Sequence, residues 1–200
     1  MKGIHVTSEI GKLRKVLLHR PGNELLNLTP DTLEDLLFDD IPFLPDAQKE
    51  HDAFAQALRD NGVEVVYLED LMADVIALSD SVRAKFIKQF MDEAGINTLK
   101  YKQLVGNYLN SIKDPKDLVL KTMEGIQVGE IYNEKRDFEK TLVDVIQNPD
   151  KFIAAPMPNL YFTRDNFASV GEGIDLHRMY SKTRNRETIY AEYIFKIIFS

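Results

Sequence analysis

Residues 159–165, with the sequence NLYFTRD, place an amide, two aromatic rings, a cation and a carboxylate within seven positions. A carboxylate can accept two parallel N–H bonds from a planar guanidinium, and an aromatic face can cover the same plane. The segment could therefore bind a ligand that carries a guanidinium. The alternative is a turn at a strand end in which Arg164 pairs with Asp165 beside buried aromatic rings, an ordinary surface ion pair.

A second charged segment, residues 183–187 (TRNRE), carries Arg184 and Arg186 where the last helix is expected to begin. The free N–H groups at a helix start favour anions, and two arginines at that place could bind a carboxylate. The alternative is a capped, solvated helix start that carries an Arg–Glu pair, because charged first turns are common.

Metal and thiol chemistry find no support in the sequence. No two histidines have metal-ligand spacing; the four are His5, His19, His51 and His177. His19 stands in a turn after an apolar run and is expected to be a hydrogen-bonded structural residue. The chain has no cysteine, which excludes disulfides, thiolate metal sites and a thiol nucleophile. No glycine motif for a dinucleotide or a phosphate is present, so no cofactor is expected.

The bulk composition bounds the class of protein. The 200 residues are enough for one sizeable core or two small domains, and 44% of them are hydrophobic. The net charge of −7 argues against binding to nucleic acid or to an anionic membrane. The N-terminus is too polar for a signal peptide, and no apolar run approaches the length of a membrane span. We therefore expect a cytoplasmic protein.

The apolar pattern predicts a mixed α/β (α+β) fold in three regions. Region 1–70 is predicted as an α/β unit, with strands at 13–18 and 63–68 and helices at 30–38 and 46–61. Region 71–148 is predicted to be all-helical, with a helical run from 71 to 95 and further helices at 98–112, 115–123 and 133–146. Region 149–200 is predicted to hold a strand at 152–155, a hairpin of 167–170 with 174–176, and a last helix from Thr183 or Asn185.

Several segments, taken in order and at these separations, resemble the N-terminal portion of an arginine deiminase. They are SEIG at 8–11, LRKVLLHRPG at 13–22, LLFDDIPF at 36–43, residues 158–165 and TRNRETIYAEYIFK at 183–196. The resemblance covers essentially the whole chain. It implies a partial five-fold α/β propeller of about two ββαβ units, with an all-α bundle inserted at 71–148.

The resemblance also implies an activity and a site. The family hydrolyses L-arginine to L-citrulline and ammonia through a cysteine nucleophile and a histidine that acts as acid and base. By motif match, Asp165 would bind the guanidinium and Phe162 would form an apolar wall. Asn159 would hold the substrate α-carboxylate, together with Arg184 or Arg186. Leu37 and Asp39, with the neighbouring Asp40, would line a loop at the mouth of the site.

The departures from the family pattern limit what the chain is expected to do. In the family the cysteine, the catalytic histidine, a glutamate and a second aspartate lie downstream of residue 200, so the chain is expected to be inactive alone. It is interpreted as a truncated deiminase whose last residues, 197–200, come from an altered reading frame. L-arginine is the candidate ligand, with weak binding expected.

Half a propeller leaves strand edges and apolar faces uncovered, which predicts a homo-oligomer or a complex with a separate C-terminal half. Two alternatives to a deiminase fragment remain open. One is a non-catalytic interaction module that kept the fold, and the other is a fragment of a related amidinotransferase.

Overall fold

The structure, a computed structural model, describes residues 4–132, 148–181 and 183–199. Strand β1 (Lys15–Leu18) pairs in parallel with β2 (Glu64–Tyr67). The connection between them contains a 3₁₀ turn (Pro30–Thr32) and the helices α1 (Leu33–Leu36) and α2 (Leu44–Asp60). Helix α2 ends at Asn61, and the following Gly62 has a φ of 74°, a left-handed conformation that glycine adopts readily. The predicted order of strand, helix and strand is confirmed.

The helical run predicted from 71 to 95 is two helices rather than one. Helix α3 (Leu68–Ala77) follows β2 directly, and α4 (Asp80–Glu93) begins after a break at Leu78 and Ser79. Ser79 has an extended backbone, and its hydroxyl accepts a hydrogen bond from the Val82 N–H at 3.2 Å. The apolar spacing continues across this cap, so the spacing alone did not reveal the break.

The rest of the second region departs from the prediction at one strand. Helices α5 (Leu99–Ser111) and α6 (Pro115–Glu124) lie where the sequence predicted them. The two-residue strand β3 (Ile126–Gln127) then precedes the short helix α7 (Val128–Ile131), so an all-helical region was wrong. The helix predicted at 133–146 lies outside the described residues.

Strand β3 pairs antiparallel with β4 (Phe152–Ala154), which ties the helical region to the third region. Gly125 precedes β3 with a φ of 92°, and a Cβ there would lie 2.8 Å from the Ala154 carbonyl oxygen. Only glycine fits this close approach between the two chain segments.

The third region carries the predicted hairpin. After β4 come a 3₁₀ turn (Pro158–Tyr161) and the one-turn helix α8 (Thr163–Asn166). Strands β5 (Phe167–Val170) and β6 (Gly173–Leu176) pair antiparallel as predicted. A second 3₁₀ turn (Asn185–Thr188) leads into the last helix, α9 (Ile189–Ile197).

Most buried side chains form one core that spans the helices and the third region. It includes Met72, Phe86 and Leu118 from the helices together with Leu160 and Tyr190 from beyond β4. A smaller cluster gathers around α1, with Leu25, Leu28, Leu36 and Leu44. The helices therefore share their core with the third region, and the domain boundaries at 70 and 148 and the propeller stay predictions.

No helix within the described ranges combines the length and the apolar character needed to cross a lipid bilayer.

Candidate functional site

The NLYFTRD segment is anchored at its first residue. Asn159 is only 4% exposed, and its Nδ2 donates a hydrogen bond to the Leu36 carbonyl at 2.8 Å. That bond joins the end of α1 to the 3₁₀ turn after β4, across 123 residues of sequence. Two prolines, Pro156 and Pro158, stop the strand and fix the extended backbone between them. The predicted ligand residue Asn159 therefore has a structural hydrogen bond that places the loop after α1.

The loop predicted to lie at the mouth of the site starts in an unusual conformation. Leu37 has a φ of 60° and a ψ of 43°, and it is 60% exposed. A left-handed conformation costs a non-glycine residue about 1 kcal/mol. Asp39 and Asp40 are both exposed, and the Asp40 carboxylate accepts a hydrogen bond from the Ile41 N–H at 2.8 Å.

Aromatic rings connect this loop with the NLYFTRD segment. The Phe38 ring lies 6.5 Å from the Tyr161 ring, and the Tyr161 ring lies 3.9 Å from the Phe162 ring. Burial raises the pKa of Tyr161, which therefore stays a neutral phenol. Phe162 is 46% exposed, so it offers an apolar face to a ligand beside the loop.

One arginine links two carboxylates at the centre of the candidate site. The Arg184 Nη2 lies 3.0 Å from the Asp165 Oδ2 and 3.0 Å from the Glu187 Oε2. Its Nε donates to the two Glu187 oxygens at 3.3 and 3.1 Å. The side chains of Arg184 and Glu187 are 12% and 2% exposed, while that of Asp165 is 43% exposed. We call this set, Asp165, Arg184 and Glu187, the open triad.

Burial is the main influence on the titration of Glu187. It raises the pKa of this carboxyl, although the charge and hydrogen bonds of Arg184 act in the opposite direction. Arg184 therefore supplies the partner that makes a buried carboxylate tolerable.

The alternative pairing of Arg164 with Asp165 is wrong. Arg164 instead pairs with Glu9 at 2.6 Å, and both of these side chains are more than three-quarters exposed, at 82% and 76%. Asp165 takes an arginine from 19 residues further along the chain. The hairpin β5–β6 occupies the sequence between them and brings the two segments together.

The two candidate arginines have different surroundings. The Arg186 side chain is buried, and its Nη2 donates to the Ala155 carbonyl and, at 3.2 Å, to the Pro156 carbonyl. It therefore satisfies the backbone after β4. Of the pair, Arg184 is the one that lies with Asp165. The expected Arg–Glu pair at the helix start is also present, between Arg184 and Glu187, and the prediction of an arginine beside a carboxylate site did not anticipate that one residue serves both.

The sequence gave no indication of a second charged cluster. His19 is fully buried between Glu24 and Glu69, with its Nε2 3.1 Å from Glu24 and its Nδ1 2.8 Å from Glu69. We call these three residues the closed triad. Burial alone would lower the pKa of His19, but the hydrogen bonds and charges of the two carboxylates raise it to about 9. The expectation that His19 is a hydrogen-bonded residue is confirmed, and its cation ties the end of β1 to the start of α3.

Within the residues that the structure describes, no three His, Asp or Glu side chains are grouped so that they could hold a metal ion.

Comparison with known proteins gives a consistent match. The arginine deiminase family model matches residues 34–200. An arginine deiminase of Treponema denticola is 59% identical over 197 residues, which are 98% of this chain and 47% of that protein. An arginine deiminase of Streptococcus pneumoniae is 56% identical over 193 residues, or 96% of this chain and 47% of the other. The chain thus spans about half the length of these curated relatives.

Proposed function

The chain belongs to the arginine deiminase family, and from this premise we propose that residues 159–187 form one wall of a binding site for L-arginine. The observation that carries the proposal is the guanidinium on Asp165, which Arg184 supplies at 3.0 Å. A carboxylate that already pairs with a guanidinium, and is 43% exposed, can pair with the guanidinium of a ligand. Phe162 would cover the ligand's alkyl chain, and Arg184 would hold its α-carboxylate.

We further propose that this chain does not hydrolyse arginine alone. Conversion of L-arginine and water to L-citrulline and ammonia replaces a C–N bond by a C–O bond at the guanidinium carbon. The thiolate route needs a cysteine, and the 200 residues contain none. The histidines do not replace it: His19 is sealed between two carboxylates, and His177 directs its Nδ1 at the backbone carbonyl of Asp165.

The exposed apolar side chains support a partner. Phe43, Phe162 and Val170 are 69%, 46% and 68% exposed, and they lie on the loop after α1, the NLYFTRD segment and the hairpin. Apolar side chains in contact with water favour association. The partner proposed is the C-terminal half of an arginine deiminase, or a second copy of this chain. A monomer in light scattering at every concentration tested would contradict the second copy.

Binding is tested by calorimetric titration of the chain with L-arginine, beside the variant Asp165→Asn and the control Asp175→Asn. Asp175 is an exposed carboxylate on β6, so its replacement makes the same charge change outside the site. We expect heat of binding for the native chain and the control, and none for Asp165→Asn. Equal binding by all three proteins would refute the assignment of Asp165.

Catalysis is tested by assaying citrulline with the chain alone and after mixing it with the C-terminal half of the Treponema denticola deiminase. We expect citrulline only from the mixture. Turnover by the chain alone, retained after removal of contaminating enzyme, would refute the requirement for a partner. Arginine binding without turnover in the mixture would favour the alternative function, a non-catalytic interaction module.

A further inference from the structure

We propose that Arg184 competes with the ligand for Asp165, and that this exchange makes the site selective for guanidino compounds that also carry a carboxylate. The inference rests on the proposed function, because it assumes that Asp165 binds the ligand's guanidinium. Its content is new: the residue that would hold the ligand's carboxylate occupies the place of the ligand's guanidinium before binding.

The geometry of the open triad makes the two uses of Arg184 exclusive. Its Nη2 lies 3.0 Å from the Asp165 Oδ2, which is the position a ligand N–H would take. Two guanidinium groups on one carboxylate oxygen would repel each other, since both carry a full positive charge. A ligand guanidinium therefore binds Asp165 only if Arg184 withdraws from it.

Glu187 makes the withdrawal inexpensive. It holds the Arg184 Nε at 3.1 and 3.3 Å and its Nη2 at 3.0 Å, and it is itself 2% exposed. Arg184 can leave Asp165 while it keeps a buried carboxylate partner. The Asp165 side lies nearer to solvent, at 43% exposure, so water and ligand reach the pair from that end.

Counting ion pairs shows why a carboxylate on the ligand matters. L-arginine replaces the Arg184–Asp165 pair with two pairs, its guanidinium on Asp165 and its carboxylate on Arg184. Agmatine, which is arginine without the carboxylate, replaces one guanidinium on Asp165 with another and gives Arg184 nothing in return. The exchange therefore favours arginine and disfavours agmatine, because the loss of the Arg184–Asp165 pair is compensated only in the first case.

The opposite possibility is that the Arg184–Asp165 pair only holds residues 183–187 against α8. In that case removal of Arg184 would change the binding of both ligands in the same direction, through a general loosening of the segment or a general change of charge. A fixed pair and an exchanging pair thus differ in the sign of one effect, the change in agmatine affinity relative to that of arginine.

The experiment measures dissociation constants for L-arginine and agmatine by calorimetry on the native chain, Arg184→Gln and the control Arg164→Gln. Arg164 is adjacent to Asp165 in sequence, and its replacement removes the same charge, but it pairs with Glu9 on the surface. For Arg184→Gln we expect agmatine to bind about fivefold more tightly and arginine about tenfold more weakly, as for the gain or loss of one partly exposed ion pair. For Arg164→Gln we expect the ratio of the two constants to stay at its native value.

Three outcomes decide the matter. Opposite changes for the two ligands support the exchange. Parallel changes in Arg184→Gln, or the same ratio in both variants, overturn the exchange and leave Asp165 as the guanidinium site, provided that Asp165→Asn abolishes binding. Absence of binding for both ligands in every protein overturns the proposed function and the exchange with it.

A fold control keeps the result interpretable. Arg184→Gln leaves Glu187 buried without its cation, so the double variant Arg184→Gln with Glu187→Gln is measured as well. It removes the buried charge together with its partner, and we expect it to show the same reversal of preference between agmatine and arginine.

Discussion

The closed triad and the open triad have the same charge pattern, a cation between two carboxylates, and differ in burial. His19, Glu24 and Glu69 have side chains that are 0%, 3% and 8% exposed. In the open triad Arg184 and Glu187 are similarly buried, but Asp165 is 43% exposed. The difference teaches that one solvent-facing partner is enough to turn a structural ion cluster into a candidate binding site.

The physical reason lies in what can replace a partner. A fully buried carboxylate cannot exchange its cation for water or for a ligand, so the closed triad has one arrangement and stabilises the fold. An exposed carboxylate can be solvated or can take a new cation at little cost. The open triad therefore has a fixed end at Glu187 and an exchangeable end at Asp165.

The strongest way to break this comparison is to remove the buried cation of the closed triad. We expect His19→Gln to lower the free energy of unfolding by about 3–5 kcal/mol, because two carboxylates stay buried without a cation. Urea unfolding followed by circular dichroism measures the loss. The control His5→Gln, at an exposed histidine, should leave the unfolding midpoint unchanged. A loss below about 1 kcal/mol in His19→Gln would show that the closed triad is not the fixed one.

The pH dependence of stability sharpens the same point. The folded pKa of His19, about 9, lies above its ordinary value of 6.5. The unfolded chain therefore releases this proton first as the pH rises. The stabilisation from His19 is complete below about pH 6.5 and is lost as the pH rises through about 9, by a few kcal/mol in all.

Urea unfolding between pH 6 and pH 10 measures this effect, with His19→Gln as the reference. We expect the difference in stability between the native chain and His19→Gln to shrink across that range. A constant difference would show that His19 is not protonated in the folded state.

The fixed end of the open triad should matter less than the closed triad and more than the exposed end. We expect Arg184→Gln to cost about 1–3 kcal/mol, since it leaves Glu187 buried with an unpaired charge. The second change Glu187→Gln should recover part of that loss in the double variant. A double variant no more stable than Arg184→Gln would contradict the role given to the buried charge.

The smallest effect is expected at the exposed end. Asp165→Asn should change the free energy of unfolding by less than about 1 kcal/mol, because water already reaches this carboxylate. Thermal unfolding compares it with Asp175→Asn, a carboxylate outside the site. If Asp165→Asn destabilised the chain as much as Arg184→Gln, both ends of the open triad would be structural.

The sequence predicted the members of the site better than their arrangement. NLYFTRD and TRNRE could be singled out by composition, but the partner of Asp165 could not, because Arg164 is adjacent and Arg184 is brought in by a hairpin. The choice between Arg184 and Arg186 depended on which guanidinium meets the backbone after β4.

Long separations explain the other misses. Glu69 lies 50 residues from His19 and resembles any acid in the first turn of a helix, so nothing local marks it as buried. The strands and most helices were predictable because their apolar periods are local. The break at Ser79 was not, because the period runs through it. The two-residue strand β3 was not either, because its pairing with β4 joins distant segments.

The early part of the chain depends on residues that a ribosome makes late. The Thr163 hydroxyl donates to the Leu17 carbonyl at 3.0 Å across 146 residues, and Val6 exchanges two backbone hydrogen bonds with Gly171. At usual rates of translation, a separation of this size corresponds to on the order of ten seconds of synthesis. During that interval β1 has only β2 as a partner, and the nascent N-terminal segment presents an uncovered edge to chaperones and to other nascent chains.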